Sequence, residues 1–142
     1  MEDIKKNIIE LGKDMYDHGL SSGIGGNISV RCDDKVIVTP SGAGVKWRWR
    51  LKPEYLLTLD LEGNIIEGAH KISKDYLMHL RIYQKVSIAK AVVHAHPDYV
   101  LSFILTGKPI PPLTEMAEKA LGEVTVVKWA RGGTDECAEY VA

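Results

Sequence analysis

Cysteine is scarce in this chain. Cys32 and Cys137 stand alone, at a spacing that makes neither a disulfide framework nor a metal knuckle, so a reducing cytoplasm is the expected compartment. Long apolar runs are missing too. No stretch approaches the roughly 20 residues that span a bilayer, and the charged, amphipathic N-terminus lacks the pattern of an export signal; we expect a soluble, unexported protein with no membrane partner. Neither sign of charge is in excess: 18 Lys+Arg against 19 Asp+Glu leave a formal charge of −1, which gives no field to attract nucleic acid or an acidic membrane. The one local exception is Lys46-Trp-Arg-Trp-Arg50. Such a run can stack on nucleic acid, yet one this short is more often a solvated loop or a subunit contact, and no nucleic-acid partner is expected. Internal repeats and low-complexity segments are absent.

What is present is the material of one core. The 142 residues, 45% of them apolar, match one domain over 1–142. Ile4, Ile8, Leu11 and Met15 fall at helical spacing, which predicts an amphipathic helix from Asp3 to His18, stopped by Gly19. A glycine-rich turn follows, then Ile28–Arg31 and Lys35–Thr39 as a hairpin around Asp33-Asp34, a loop from Pro40 to Leu51, and a second hairpin from Tyr55–Leu59 and Ile65-Ile66. Helices are expected at Asp75–Lys85, Tyr99–Leu105, Glu115–Leu121 and from Thr134 onward, with strands ending near His96 and over Val124–Trp129. Strands arriving as hairpins rather than in strand–helix alternation imply an α/β domain with a largely antiparallel sheet.

The stretch Ala91-Val-Val-His-Ala-His-Pro-Asp-Tyr-Val100 raises the chemical question. In a strand His94 and His96 share one side, where two ring nitrogens can converge on a cation or hydrogen bond to one another; from these residues alone both readings stand. Gly25-Gly26 is either a tight turn needing positive φ or a place where backbone N–H groups approach an anion. Ser73 near a helix N-terminus, with Lys74 beside it, suits a phosphate. Asp75 alone is an ordinary helix-dipole acid, and His79, one turn on, is a packing residue or a support for its neighbours.

Four separated signals occur in order: Gly25-Gly-Asn-Ile-Ser29, Thr39-Pro-Ser-Gly42, Ser73-Lys-Asp75 with His79 following, and Val92-Val-His-Ala-His96. With Ile110-Pro-Pro112 and Gly132-Gly-Thr-Asp-Glu136 downstream, the chain resembles the class II aldolase and adducin head-domain family from about residue 4 to its end. The resemblance implies a three-layer α/β/α fold around the antiparallel sheet. It also implies Zn2+ on His94 and His96, a phosphate cradle of Gly26, Asn27, Ser41, Gly42, Ser73 and Lys74, and Asp75 as the acid/base carboxylate. The reaction implied is cleavage of a ketose 1-phosphate such as L-fuculose 1-phosphate into dihydroxyacetone phosphate and an aldehyde, with zinc as Lewis acid, in a homotetramer.

The chain also departs from that pattern. The family's aldolases carry glutamate where Asp75 stands, and aspartate there is similar to the pentulose-5-phosphate 4-epimerases of the same family. Its serine pair has become Ser73-Lys74. The family's third zinc histidine lies beyond Ala142, and neither His18 nor His70 matches a ligand position; the chain lacks the family's C-terminal part, recruits another ligand or no longer catalyses, and the first is expected because Glu136–Ala142 begins an amphipathic helix with no closing signal. Glu115 stands where the aldolase has a tyrosine after its proline pair, as a second acid/base group or a helix cap. Trp47 and Trp49 are expected on the surface as subunit contacts. An adducin-like assembly domain without metal is the alternative from outside enzymology.

Overall fold

A computed structural model describes residues 1–21, 23–122 and 124–142. Helix α1 runs Glu2–Asp17 and ends where Gly19 takes φ +69°. Its buried stripe is Ile8, Gly12 and Met15, while Leu11 is 40% exposed. Ile8 and Met15 hold their expected places, while Gly12 replaces Leu11 between them and leaves room for the Trp49 ring: a Cβ there would lie 2.5 Å from it.

Five strands follow: β1 Asn27–Cys32, β2 Lys35–Val38, β3 Leu57–Asp60, β4 Ile65–Glu67 and β5 Ala91–His94. They form one sheet in the order β4-β3-β2-β1-β5, with every neighbouring pair antiparallel. Both hairpins close as the sequence suggests. Asp33 takes φ 54° in the first turn, a conformation that Asp tolerates. In the second, the Asp60 carboxylate accepts from the backbone N–H of Glu62 and Asn64 and from Asn64 Nδ2.

Alternation along the strands sorts side chains onto two faces. Ile28 and Ile37 pack with Ile8, Met15, Trp49 and Leu56 against α1. On the opposite face Val36, Val38, Leu57 and Leu59 pack against Leu80 and Tyr83 of helix α3, Tyr76–Lys85. The three layers are thus helix, sheet, helix. Short helices α4 (Asp98–Ile104), α5 (Glu115–Leu121) and α6 (Asp135–Val141) complete the chain, and α6 packs on α3.

Four expectations change. The 40–51 segment contains a short helix, α2, Ala43–Trp47, and Tyr55 belongs to a 3₁₀ turn, Pro53–Tyr55, started by its proline. Trp49 is fully buried. Arg48 and Trp49 take φ 50° and 59°, and this left-handed pair turns the indole into the core while Arg48 and Arg50 stay in solvent; the stacking surface imagined for the basic run loses one of its two rings. Val124–Trp129 forms no strand. Its β-propensity finds a partner only at Val124, which bridges to Ile110, and pairing rather than propensity makes a strand.

Candidate active site

Strand β1 starts at Asn27 because the two residues before it are glycines with close neighbours. A Cβ on Gly26, at φ +92°, would lie 2.9 Å from the His94 carbonyl oxygen, and one on Gly25 would lie 2.4 Å from His96 Nδ1. The tight-turn reading holds at Gly26, where φ is positive, and the absent side chain at Gly25 makes room for the His96 ring. Asn27, 2% exposed, pairs across the sheet with His94. Its Nδ2 donates to Ser73 Oγ at 3.2 Å and Asp75 Oδ2 at 3.4 Å, and its Oδ1 is buried with no hydrogen-bond partner.

The Thr39-Pro-Ser-Gly42 turn is tied down on both sides. Thr39 exchanges bonds with Ile28 through Oγ1 and backbone N–H, and Ser41 N–H donates to the Lys71 carbonyl at 2.8 Å. Gly42 takes φ +77°. Ser73, Lys74 and Asp75 lead into α3; Asp75 is its N-cap, but its carboxylate caps no helix N–H and is left facing Asn27.

The two histidines converge, although not both from the strand. β5 ends at His94, and His96 is held by its backbone N–H to the Leu20 carbonyl at 2.9 Å. Their Nε2 atoms lie 3.0 Å apart. Two nitrogens each 2.0–2.1 Å from a tetrahedral zinc stand roughly 3.3 Å apart, so the pair fits two positions of such a set; it equally fits one hydrogen bond between neutral rings. Burial, and then the neighbouring His96, lower the pKa of His94, with Asp75 opposing. A low pKa keeps the lone pairs free, as metal ligation requires. Among the described residues no group of three His, Cys, Asp or Glu side chains is close enough to hold a metal. The pair thus offers two donors of such a set.

All nine residues singled out from the sequence line one cavity of about 840 Å³: Gly26, Asn27, Ser41, Gly42, Ser73, Lys74, Asp75, His94 and His96. Sequence reasoning did not assign the far wall, formed by Lys71, Met78, Gly132, Gly133 and the Thr134, Cys137, Ala138 and Val141 face of α6. The Gly132-Gly133 pair comes close to the site, since a Cβ on Gly132 would lie 3.3 Å from Asp75 Oδ1 and one on Gly133 3.0 Å from Lys74 Cβ. Two adjacent glycines before a Thr N-cap were its signal in the sequence.

Other candidates fall outside. Glu115 is exposed and pairs with Lys119, and the cap of α5 is Thr114, which accepts from the Ala117 N–H at 3.1 Å; the capping role considered for Glu115 falls to Thr114, and Glu115 does not line this cavity. His18 bonds the Asp14 carbonyl, and His70 packs edge-on to Trp47 and Tyr55. His79 is 1% exposed, with Nδ1 2.7 Å from Ser29 Oγ. Burial, and secondly His94, push its pKa down to about 3, so it stands neutral.

Residues 6–142 match the family described as Class II Aldolase and Adducin N-terminal domain. The chain is 36% identical to 3-oxo-tetronate 4-phosphate decarboxylase of Haemophilus influenzae, over 97% of this chain and 67% of that protein. It is 33% identical to L-fuculose phosphate aldolase of Methanococcus maripaludis, over 96% and 73%. The crystal structure of L-fuculose-1-phosphate aldolase from Thermus thermophilus superposes with TM-score 0.85 at 31% identity, over 98% and 68%. The chain thus spans about two thirds of the length of these relatives. With its sheet, its two helical layers and its ordered motifs, it belongs to the class II aldolase and adducin N-terminal domain family.

Proposed function

We propose that this chain carries the substrate-phosphate and metal site of a zinc-dependent lyase that cleaves a ketose 1-phosphate, such as L-fuculose 1-phosphate, to dihydroxyacetone phosphate and an aldehyde. The observation behind this reading is the shared cavity, with a carboxylate, a pair of convergent imidazoles and a glycine–serine–lysine cradle on its wall. His94 and His96 would hold the zinc, which supplies Lewis-acid polarisation of a carbonyl when bound.

The chain's own groups do the rest. Backbone N–H groups at Gly26 and Gly42, the hydroxyls of Ser41 and Ser73, the Asn27 amide and the Lys74 ammonium would bind the phosphate, and so hold the reacting carbon at a fixed place. Asp75 would move the proton on the carbon next to the carbonyl: it takes the proton in the synthetic direction and returns it after the carbon–carbon bond breaks. Asn27 Nδ2 orients that carboxylate.

A second reading is loss of CO₂ from a phosphorylated 3-oxo sugar acid, the activity named for the Haemophilus influenzae relative. It shares the need to hold negative charge beside a carbonyl, and the second cavity lysine, Lys71, favours a substrate with an additional carboxylate. The 4-epimerase reading keeps only the identity of Asp75 in its favour. The test supplies zinc and a panel of L-fuculose 1-phosphate, L-ribulose 5-phosphate and 3-oxo-tetronate 4-phosphate. Dihydroxyacetone phosphate from the first substrate supports the aldolase, and CO₂ from the third in its place replaces it with the decarboxylase. Turnover of none of the three contradicts both and favours the adducin-like alternative.

A further inference from the structure

The cavity accounts for one side of the His94 ring, its Nε2. The other nitrogen, Nδ1, is buried with no hydrogen-bond partner, and so is Nε2 of His79. Buried polar nitrogens are nearly always paired, and these two belong to rings that interact electrostatically. The sheet register brings them to the same place. Asn27 pairs with His94 and Ser29 with Val92, so Ser29 and His94 are diagonal neighbours on the face that carries α3, about 7–8 Å apart. His79 comes down from α3 onto Ser29 with its Nδ1, which leaves its Nε2 buried without a partner.

We propose that His79 is a positioning residue: through one bridging water its Nε2 accepts the Nδ1 proton of His94, and so keeps the His94 Nε2 lone pair turned to the cavity. The proposal rests on the zinc reading given above. The proton order that follows is His94 Nδ1–H to His79 Nε2, His79 Nδ1–H to Ser29 Oγ, Ser29 O–H to Tyr83 Oη, and Tyr83 O–H to the Ser29 carbonyl. The last three contacts measure 2.7, 2.8 and 3.0 Å. In this direction each of those contacts has its own proton. In the reverse direction the Ser29 proton goes to His79, and the single Tyr83 proton has two contacts to serve.

The reverse order would also protonate His94 at Nε2 and close it to a metal. A ligand histidine is commonly fixed through its second nitrogen by a carboxylate or carbonyl; here a neutral imidazole, backed by a serine and a tyrosine, takes that part. With the His94 Nε2 unprotonated, a hydrogen bond across the 3.0 Å Nε2–Nε2 contact takes its proton from His96.

The test is the ring protonation of the metal-free, ¹⁵N-histidine-labelled chain near neutral pH, read from long-range ¹H–¹⁵N correlations, followed by zinc titration of wild type and Ser29→Ala. Both His94 and His79 are expected to carry their proton on Nδ1. Ser29→Ala is expected to release His79 into mixed tautomers and to weaken zinc binding about 10- to 100-fold. A proton on Nε2 of His94 or His79 in the wild type overturns the proposal, as does unchanged zinc affinity in Ser29→Ala. Should the variant not fold, the wild-type tautomers decide. A wild type with the expected tautomers that takes up no zinc would refute the metal reading while leaving the hydrogen-bond order intact.

Discussion

Gly25 and Gly26 are adjacent and both too crowded for a side chain, but they fail differently when one is added. At Gly26 the obstacle includes backbone, the His94 carbonyl at 2.9 Å, and the φ of +92° is itself unfavourable to alanine. Gly26→Ala is expected to destabilise the fold by about 1–3 kcal/mol in chemical denaturation. At Gly25 the obstacle is the His96 ring, which can swing away. Gly25→Ala is expected to fold and to lose zinc affinity by roughly tenfold or more in titration. Asp75→Asn should keep both fold and metal while turnover drops about 10²- to 10⁴-fold; a variant with full turnover would remove Asp75 from the chemistry. Trp49 shows why some residues were not legible in the sequence. Flanked by Arg48 and Arg50, it has the neighbours of a surface residue, and only the left-handed backbone at residues 48 and 49 sends it inward.

At the scale of elements, the hairpins were readable because period-two alternation and turn residues agree, as they do for β1–β2 and β3–β4. Helix α2 has five residues, too few for a periodicity to declare itself, and Val124–Trp129 has strand residues without a strand beside it. The burial of His79 between α3 and the sheet carries a pH dependence. His79 has a pKa of about 3 in the folded chain against 6.5 as an ordinary histidine, so below pH 6.5 the unfolded chain takes up a proton that the folded one refuses. Stability from this group is complete above pH 6.5 and falls with pH by up to about 1.4 kcal/mol per unit toward pH 3. Denaturation midpoints between pH 7 and pH 5 should show that slope, and His79→Gln should flatten it. On the outer side of α3, Arg81 reaches Asp135 and Glu139, and Lys85 reaches Glu139. The Lys85 hydrogen bond holds the Glu139 carboxyl below the usual range. These pairs tie down α6, a wall of the cavity, and Arg81→Ala is expected to speed amide exchange in α6 before the sheet.

Across the whole molecule the four motifs come from distant parts of the sequence and meet because β1 lies at the centre of the pairing between β2 and β5. The order of the motifs revealed the site; the closing wall from 130–141 was less legible, because its residues reach the cavity through helix packing on α3 rather than through a strand register. Exposed apolar side chains concentrate between residues 99 and 129, with Tyr99, Leu105, Leu113, Met116 and Trp129 each at least 76% exposed. A homo-oligomer, tetrameric by resemblance, would cover such side chains, and they take over from Trp49 as the reason to expect one. Light scattering at micromolar concentration should return a multiple of the 15.7 kDa chain mass, and a monomeric mass would end that expectation. No helix among the described residues is long and apolar enough to cross a membrane.

Whether the two histidines hold a metal decides most of this account, and zinc content per chain measures it directly. After purification and equilibration with zinc at neutral pH, elemental analysis should find about one zinc per wild-type chain and a large loss in both His94→Ala and His96→Ala. A wild type that holds no more zinc than those variants would make the 3.0 Å contact an ordinary hydrogen bond and remove the metal from the proposed chemistry.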